Sequence, residues 1–160
     1  MLYRPYRSED FAALFATEEA CFQPPFRFGR RMMQRLVNSP QGATWIAEQD
    51  LRMVGFAIVE WNEQTDGVIG YIQTIEVAPE WRGQGIGAEL LRRVEGSAHA
   101  AGAKDIWLHV DAENAAAIRL YEAHGYRIEG REEGFYALGR AALIYSKPLE
   151  VSGPQPSGGD

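Results

Sequence analysis

Hydrophobic positions alternate with period two in some stretches and recur every three to four residues in others, and this switching predicts the elements. Leu2 to Tyr6 reads as a short strand. Ser8, followed by Glu9 and Asp10, predicts a helix N-cap with acids in the first turn. That helix runs to about Cys21, with Phe11, Leu14 and Phe15 on one face and Glu18 in the same spacing. Pro24 and Pro25 cannot continue it, because proline lacks an N–H and crowds the preceding turn, so residues 22 to 29 form an aromatic loop. A second helix spans Arg30 to about Val37 and stops at Asn38-Ser39-Pro40. Strand patterns follow at Thr44 to Glu48, Met53 to Trp61, Val68 to Val77 and Asp105 to Val110. Turn-like segments at Gln49 to Arg52 and Asn62 to Gly67 separate the first three strands, which predicts an antiparallel meander. Between the third and fourth, Ile86, Leu90, Leu91, Val94 and Ala98 line one face of a helix from Gly85 to about Ala101. This makes a right-handed βαβ unit. A last helix, Asn114 to His124, ends at Gly125, and strands at Tyr126 to Glu132 and Ala141 to Lys147 flank a loop carrying Gly134-Phe135-Tyr136.

The 160 residues suit one domain. Residues 1–150 carry the pattern, and Ser152 to Asp160, rich in Gly, Pro and Ser, is expected to form a disordered tail over 151–160. The 22 acidic side chains outnumber 16 basic ones, a net charge of −6 that argues against a nucleic-acid binder. Fourteen of the basic residues are arginines, which leaves room for local positive sites. A lone Cys21 excludes an internal disulfide and no zinc-ligand spacing is present, so no metal is expected and a reducing, cytoplasmic setting fits. The first ten residues show no apolar leader and no run approaches the roughly 18 apolar residues of a membrane span, so no membrane association is expected.

The segment from Tyr71 to Leu91 carries the chemistry. A strand enters a loop, and Gly83, Gly85 and Gly87, at alternate positions, open a helix. Glycine lets backbone approach a ligand, and a helix start offers unpaired N–H groups at the positive end of its dipole, which together suit a pyrophosphate. The Walker pattern is absent. Gly83, Gly85 and Ala88 also satisfy the dinucleotide pattern G-x-G-x-x-A, with Asp111 ending the next strand where a ribose-binding acid belongs. Against that reading, Pro79-Glu80-Trp81-Arg82 separates the strand from the first glycine, and about 50 remaining residues are too few for a doubly wound sheet. Glycines that only permit tight helix–sheet packing are the plainest alternative.

Arg82-Gly83-Gln84-Gly85-Ile86-Gly87 resembles the R/Q-x-x-G-x-G/A acyl-CoA signature of the GCN5-related N-acetyltransferase (GNAT) superfamily. The likeness extends through Trp107-Leu108-His109-Val110, Asn114-Ala115-Ala116-Ala117-Ile118-Arg119-Leu120-Tyr121-Glu122 and Gly125-Tyr126, a block similar to ribosomal-protein-alanine N-acetyltransferases and related N-terminal acetyltransferases. The resemblance implies an α/β (α+β) GNAT fold: a mixed, mostly antiparallel sheet of about seven strands, four helices, and a splayed strand pair holding acetyl-CoA. It further implies that the backbone of Ile75, Glu76 and Val77 pairs with the pantetheine arm. The N–H groups from Gly83 through Gln84, Gly85, Ile86 and Gly87 to Ala88 would hold the pyrophosphate. The splay would fall at a bulge at Ala78-Pro79, Val77 N–H would serve as oxyanion donor, and Asn114 would lie near the sulfur besides capping its helix. Arg82 and Arg119 either neutralise phosphates or are solvated.

Acetyl transfer from a thioester to an amine needs a neutral amine, a donor for charge developing on the carbonyl oxygen, and a proton for the leaving thiolate. His109 shares a strand face with Trp107 and Asp111. By resemblance it stands where bacterial ribosomal-protein-alanine enzymes carry a glutamate base, and Tyr71 in Tyr71-Ile72-Gln73-Thr74 matches a tyrosine that works with such a histidine in a eukaryotic N-terminal acetyltransferase. The two are expected to draw off the amine proton through an ordered water. Tyr121 matches the family's general acid, about two turns beyond Asn114 on one helix. Glu76 reads as an ordinary outward strand residue, and His99 and His124 as solvated helix positions.

Phe22, Pro24 and Pro25 lie where N-terminal acetyltransferases place a loop lining the peptide groove, and Phe135 and Tyr136 where they place an aromatic segment opposite. Departures in both loops leave residue preference open. The reading is an acetyl-CoA-dependent acetyltransferase for peptide or protein N-terminal amines. The alternatives are a GNAT enzyme for a small free amine or amino acid, and a catalytically silent acetyl-CoA-binding module.

Overall fold

The computed structural model describes residues 1–22, 24 and 28–149. Pro25 and the expected tail at 151–160 lie outside the described residues. Seven strands form one sheet: β1 (Leu2–Pro5), β2 (Gly42–Gln49), β3 (Arg52–Gln64), β4 (Gly67–Val77), β5 (Ala103–Asp111), β6 (Arg127–Ala137) and β7 (Arg140–Pro148), in the order β1-β2-β3-β4-β5-β7-β6. The helices are α1 (Phe11–Cys21), α2 (Arg30–Val37), α3 (Ile86–Ala100) and α4 (Ala115–Ala123). Among the described strands only β4 and β5 run parallel, joined through α3. This single crossover removes the dinucleotide-binding alternative, which needs repeated βαβ units.

Alternation along β3 builds two cores. Ala57 and Val59 face α3 together with Leu90, Leu91, Val94 and Ala98, whereas Phe56 and Ile58 face α1 and α2 with Leu14, Met33 and Leu36. The α4 residues Ala117, Ile118, Leu120 and Tyr121 join the α3 side.

Two local deviations differ from the expectations. Ser8 is not a side-chain cap: Ser8–Asp10 forms a 3-10 turn before α1, and Asp10 accepts from Arg7 N at 2.7 Å and from Arg4 Nη1 and Nη2 at 2.8 Å each. Arg4 holds the Asp10 carboxyl below its ordinary range. At the β2–β3 hairpin, Asp50 (φ 51°) and Leu51 (φ 65°) both take left-handed backbone, the conformation of a tight two-residue turn.

A bulge on β4 positions the site. Ile58 pairs with Thr74 but Val59 pairs with Ile72, so Gln73 is the extra residue. Ile72 and Ile75, three apart, can then both face α3, which an unbroken strand forbids. The expected bulge at Ala78-Pro79 is therefore found five residues earlier; Ala78 still bonds to β3 through Val54 O at 2.8 Å, and Pro79 opens a 3-10 turn. Pairing between β4 and β5 ends at Tyr71 with Trp107. Beyond that point the bulge bends β4 away, and a cleft opens between Ile72–Val77 and the end of β5.

Candidate active site

One wall of the cleft is the start of α3. Gly83 (φ 79°) and Gly85 (φ 85°) both lie in left-handed backbone, and a Cβ on either would stand in open space, so glycine is required here by the turn. The first intrahelical bond is Glu89 N to Gly85 O, and the N–H groups from Gly83 to Ala88 have no backbone partner among the described residues. A groove of about 580 Å³ runs from Gly83, Gly85, Ile86, Gly87 and Ala88 past Val77 to Tyr121, with Arg119 beside it. Gln84 is exposed and does not line it. Arg82 lines the groove and donates from Nε to Val77 O at 2.9 Å. Because Ala78 N–H points to β3, alternation turns the N–H and C=O of Val77 and Ile75 toward the open edge, and those of Glu76 toward β3. The groove thus offers what an extended arm ending in a pyrophosphate requires, and the residues fit acetyl-CoA.

A second cavity of about 320 Å³ meets the groove at Ile75, Asn114, Ala117 and Tyr121. Phe22, Phe28, Phe135 and Tyr136 wall it, and Tyr71 and His109 reach it from the adjacent strands. Tyr71 OH lies 2.7 Å from His109 Nδ1. His109 Nε2 lies 3.2 Å from Glu132 Oε1, and Phe135 stacks on the imidazole at 4.1 Å with 5° between the planes. Burial pushes the Tyr71 phenol up to about 12. Tyr121 is 7% exposed, packs edge-on against Tyr126 at 5.6 Å, and is raised by burial and then by Tyr71. Its hydroxyl has no hydrogen-bond partner among the described residues. Asn114 Oδ1 caps α4 by accepting from Ala117 N at 3.1 Å, with the side chain at the junction of the two cavities.

Several expectations change. Val77 lines only the long groove; Ile75 is the β4 residue at the junction. Pro24 is exposed and lines neither cavity. Gly134-Phe135-Tyr136 belongs to β6 rather than a loop, but Glu132 pairs with Ala142 and Ala137 with Arg140, so residues 133 to 136 swing out of register toward the cavity. His124 is half-buried with Nδ1 donating to Leu120 O at 2.8 Å, and His99 is also half-buried.

Glu76 is not outward. It is buried beside the fully buried Glu18, whose spacing with Leu14 put it on the core face of α1. Glu18 Oε2 accepts from Phe28 N at 2.7 Å and Glu76 Oε2 from Thr74 Oγ1 at 3.1 Å, while neither Oε1 atom has a hydrogen-bond partner among the described residues. Burial, and then the neighbouring Glu18, holds the Glu76 carboxyl well above its usual range. The pair ties the base of the aromatic loop to the strand that lines the groove. Glu132 and Glu18 were missed as site residues; the only signal for Glu18 was a charge in an apolar helical spacing, and for Glu132 there was none, because its register depends on the β6 excursion.

A splayed parallel strand pair, a glycine-rich helix start at its mouth and ionisable side chains at its apex define an acyl-CoA-dependent transferase architecture. The model of the Acetyltransferase (GNAT) family matches residues 11–126, and the chain belongs to that family. Streptothricin acetyltransferase of Streptomyces lavendulae is 37% identical over 103 residues, 60% of this chain; the chain spans about half that enzyme's length, 52%. The ribosomal-protein-alanine N-acetyltransferase of Escherichia coli superposes with a TM-score of 0.81 at 24% identity, over 95% of this chain and 96% of that one. NAA60 of Arabidopsis thaliana, solved with acetyl-CoA, gives 0.81 at 22% identity over 92% and 98%. These two structures establish the shared GNAT fold. No helix among the described residues is long and apolar enough to cross a membrane.

Proposed function

We propose that this protein is an acetyl-CoA-dependent N-acetyltransferase that acts on peptide or protein N-terminal α-amines. The observation that carries the reading is the position of the Tyr71–His109 pair, at 2.7 Å, in an aromatic-walled cavity that opens into the glycine-lined groove. Acetyl-CoA, when bound, supplies the thioester carbonyl as acyl donor. Gly83 to Ala88 hold the pyrophosphate through backbone N–H groups, and Ile75 and Val77 pair with the pantetheine arm. Ile75 N–H, rather than Val77 N–H, would receive charge on the carbonyl oxygen, a reading supported by Ile75 lining both cavities where Val77 lines only the groove.

The incoming amine is mostly protonated at neutral pH and must lose a proton before its nitrogen forms the new C–N bond. With its phenol near 12, Tyr71 is rarely ionised, so it passes the amine proton on to His109 Nδ1. Tyr121 stays protonated and gives its proton to the sulfur as the C–S bond breaks. As the amide forms, its nitrogen gives up its second proton to water; His109 then releases the first to water and Tyr121 takes one back, so that one proton in all is released.

Phe22, Phe28, Phe135 and Tyr136 form two facing aromatic walls, a shape suited to the first residues of an extended peptide. A small basic amine is the second reading, favoured by the 37% identity to streptothricin acetyltransferase. Release of CoA thiol with a panel of N-terminal peptides, amino acids, polyamines and aminoglycosides separates the two. Reaction with peptides alone supports the first, and reaction with small amines alone replaces it by the second.

A further inference from the structure

We infer that Glu132 is a positioning residue that fixes the tautomer of His109 and so aims the Nδ1 lone pair at Tyr71. A carboxylate only accepts hydrogen bonds, so the 3.2 Å contact requires the proton on Nε2. A neutral imidazole with its proton on Nε2 has its lone pair on Nδ1, where Tyr71 OH then donates at 2.7 Å. With the opposite tautomer, Nδ1–H would confront the Tyr71 hydroxyl, and the path from the acceptor cavity to the histidine would be cut.

The geometry separates this arrangement from an incidental surface ion pair, which orders neither partner. His109 is held from three sides: Tyr71 on β4 bonds one nitrogen, Glu132 on β6 bonds the other, and Phe135 lies flat on the ring at 4.1 Å. Glu132 immediately precedes the β6 excursion and Phe135 lies within it, so one backbone feature delivers both the carboxylate and the stacking ring. The Glu132 side chain is 51% exposed, whereas that of His109 is 20% exposed, which places the carboxylate at the solvent end of the chain of groups. When the amine proton reaches Nδ1, the imidazolium that forms is balanced by Glu132 through its existing hydrogen bond.

The kinetic arm of the test rests on the acetyltransferase reading; the spectroscopic arm does not. Imidazole nitrogen shifts of His109, read by two-bond proton–nitrogen correlation in ¹⁵N-labelled protein above the imidazole titration, report the tautomer directly. The wild type is expected to show a protonated Nε2 and an unprotonated Nδ1. Glu132→Leu, on a half-exposed strand position, is expected to mix the tautomers and lower kcat about tenfold, with KM for acetyl-CoA within about twofold. Glu132→Gln, which still accepts through its amide oxygen, should recover the Nε2–H tautomer and part of kcat. An unchanged tautomer in Glu132→Leu overturns the inference whatever the activity, and a changed tautomer with wild-type kcat overturns the role in proton transfer. If no amine is acetylated by the wild type, the functional reading fails while the tautomer result still decides the placement of Glu132.

Discussion

If Tyr71 and His109 act as one path for the amine proton, removing either must break the whole path. At pH 8 a phenol titrating near 12 is ionised in only about one molecule in ten thousand, so Tyr71 needs a base behind it, and His109 Nδ1, 2.7 Å from its hydroxyl, is that base. General-base contributions of 10²–10⁴ correspond to about 2.7–5.4 kcal/mol of barrier at 1.36 kcal/mol per decade. Tyr71→Phe keeps the ring and deletes only the hydroxyl that bonds Nδ1, and His109→Ala removes the acceptor. Each is expected to lower kcat about 100-fold or more, and the double variant no further than the weaker single, because a broken relay cannot be broken twice. The coupling is then about 2.7 kcal/mol or more. Initial rates of CoA thiol release at saturating acetyl-CoA measure all four corners. Losses that multiply in the double variant, or a Tyr71→Phe rate within about threefold of wild type, would refute the relay.

Four further outcomes follow from other parts of the structure. Tyr121→Phe should lower kcat much more than it weakens acetyl-CoA binding, and equal effects on both would remove its acid role. Gly85→Ala forces a Cβ into left-handed backbone at a cost of about 1–2 kcal/mol, so Kd for CoA, followed by fluorescence of the groove residue Trp81, should rise about tenfold. The raised Glu76 carboxyl means that the folded chain keeps a proton the unfolded chain releases above the ordinary glutamate range. Stability therefore falls by up to about 1.4 kcal/mol per pH unit as pH rises toward the folded value, and Glu76→Gln should flatten that slope in urea titrations between pH 5 and pH 9. Leu51 is 92% exposed at φ 65°, so Leu51→Gly should raise the denaturation midpoint by relieving about 1 kcal/mol of strain.

Period two and period 3.6 were enough to place the seven strands and four helices of the described residues within about five residues, because the helices bury one apolar face each against the sheet, whose two faces carry two cores. Gly83 and Gly85 were legible as well, since only glycine accepts their backbone at a helix start. What the pattern did not carry was register. The extra residue at Gln73 shifts the alternation along β4, so that Ile72 and Ile75 face α3 while Glu76 is buried on the α1 side beside Glu18, although its polar character suggested solvent. Likewise, the excursion at 133 to 136 decides that Phe135 covers His109 and that Glu132 meets Nε2, and both depend on pairing with β7 rather than on local sequence. His109 and Tyr71 stood out by residue type, but their contact comes from the last paired position of β4 and β5, Tyr71 with Trp107.

The central claim is tested most directly by mass-spectrometric mapping of the acetyl group after incubation with acetyl-CoA and an equimolar mixture of unblocked peptides, lysine-containing N-blocked peptides and small polyamines. Acetyl groups on the N-terminal α-nitrogen of the unblocked peptides, absent from the other amines and lost with His109→Ala, are the predicted result. Acetylated polyamines or lysine side chains with unmodified N-termini would contradict it.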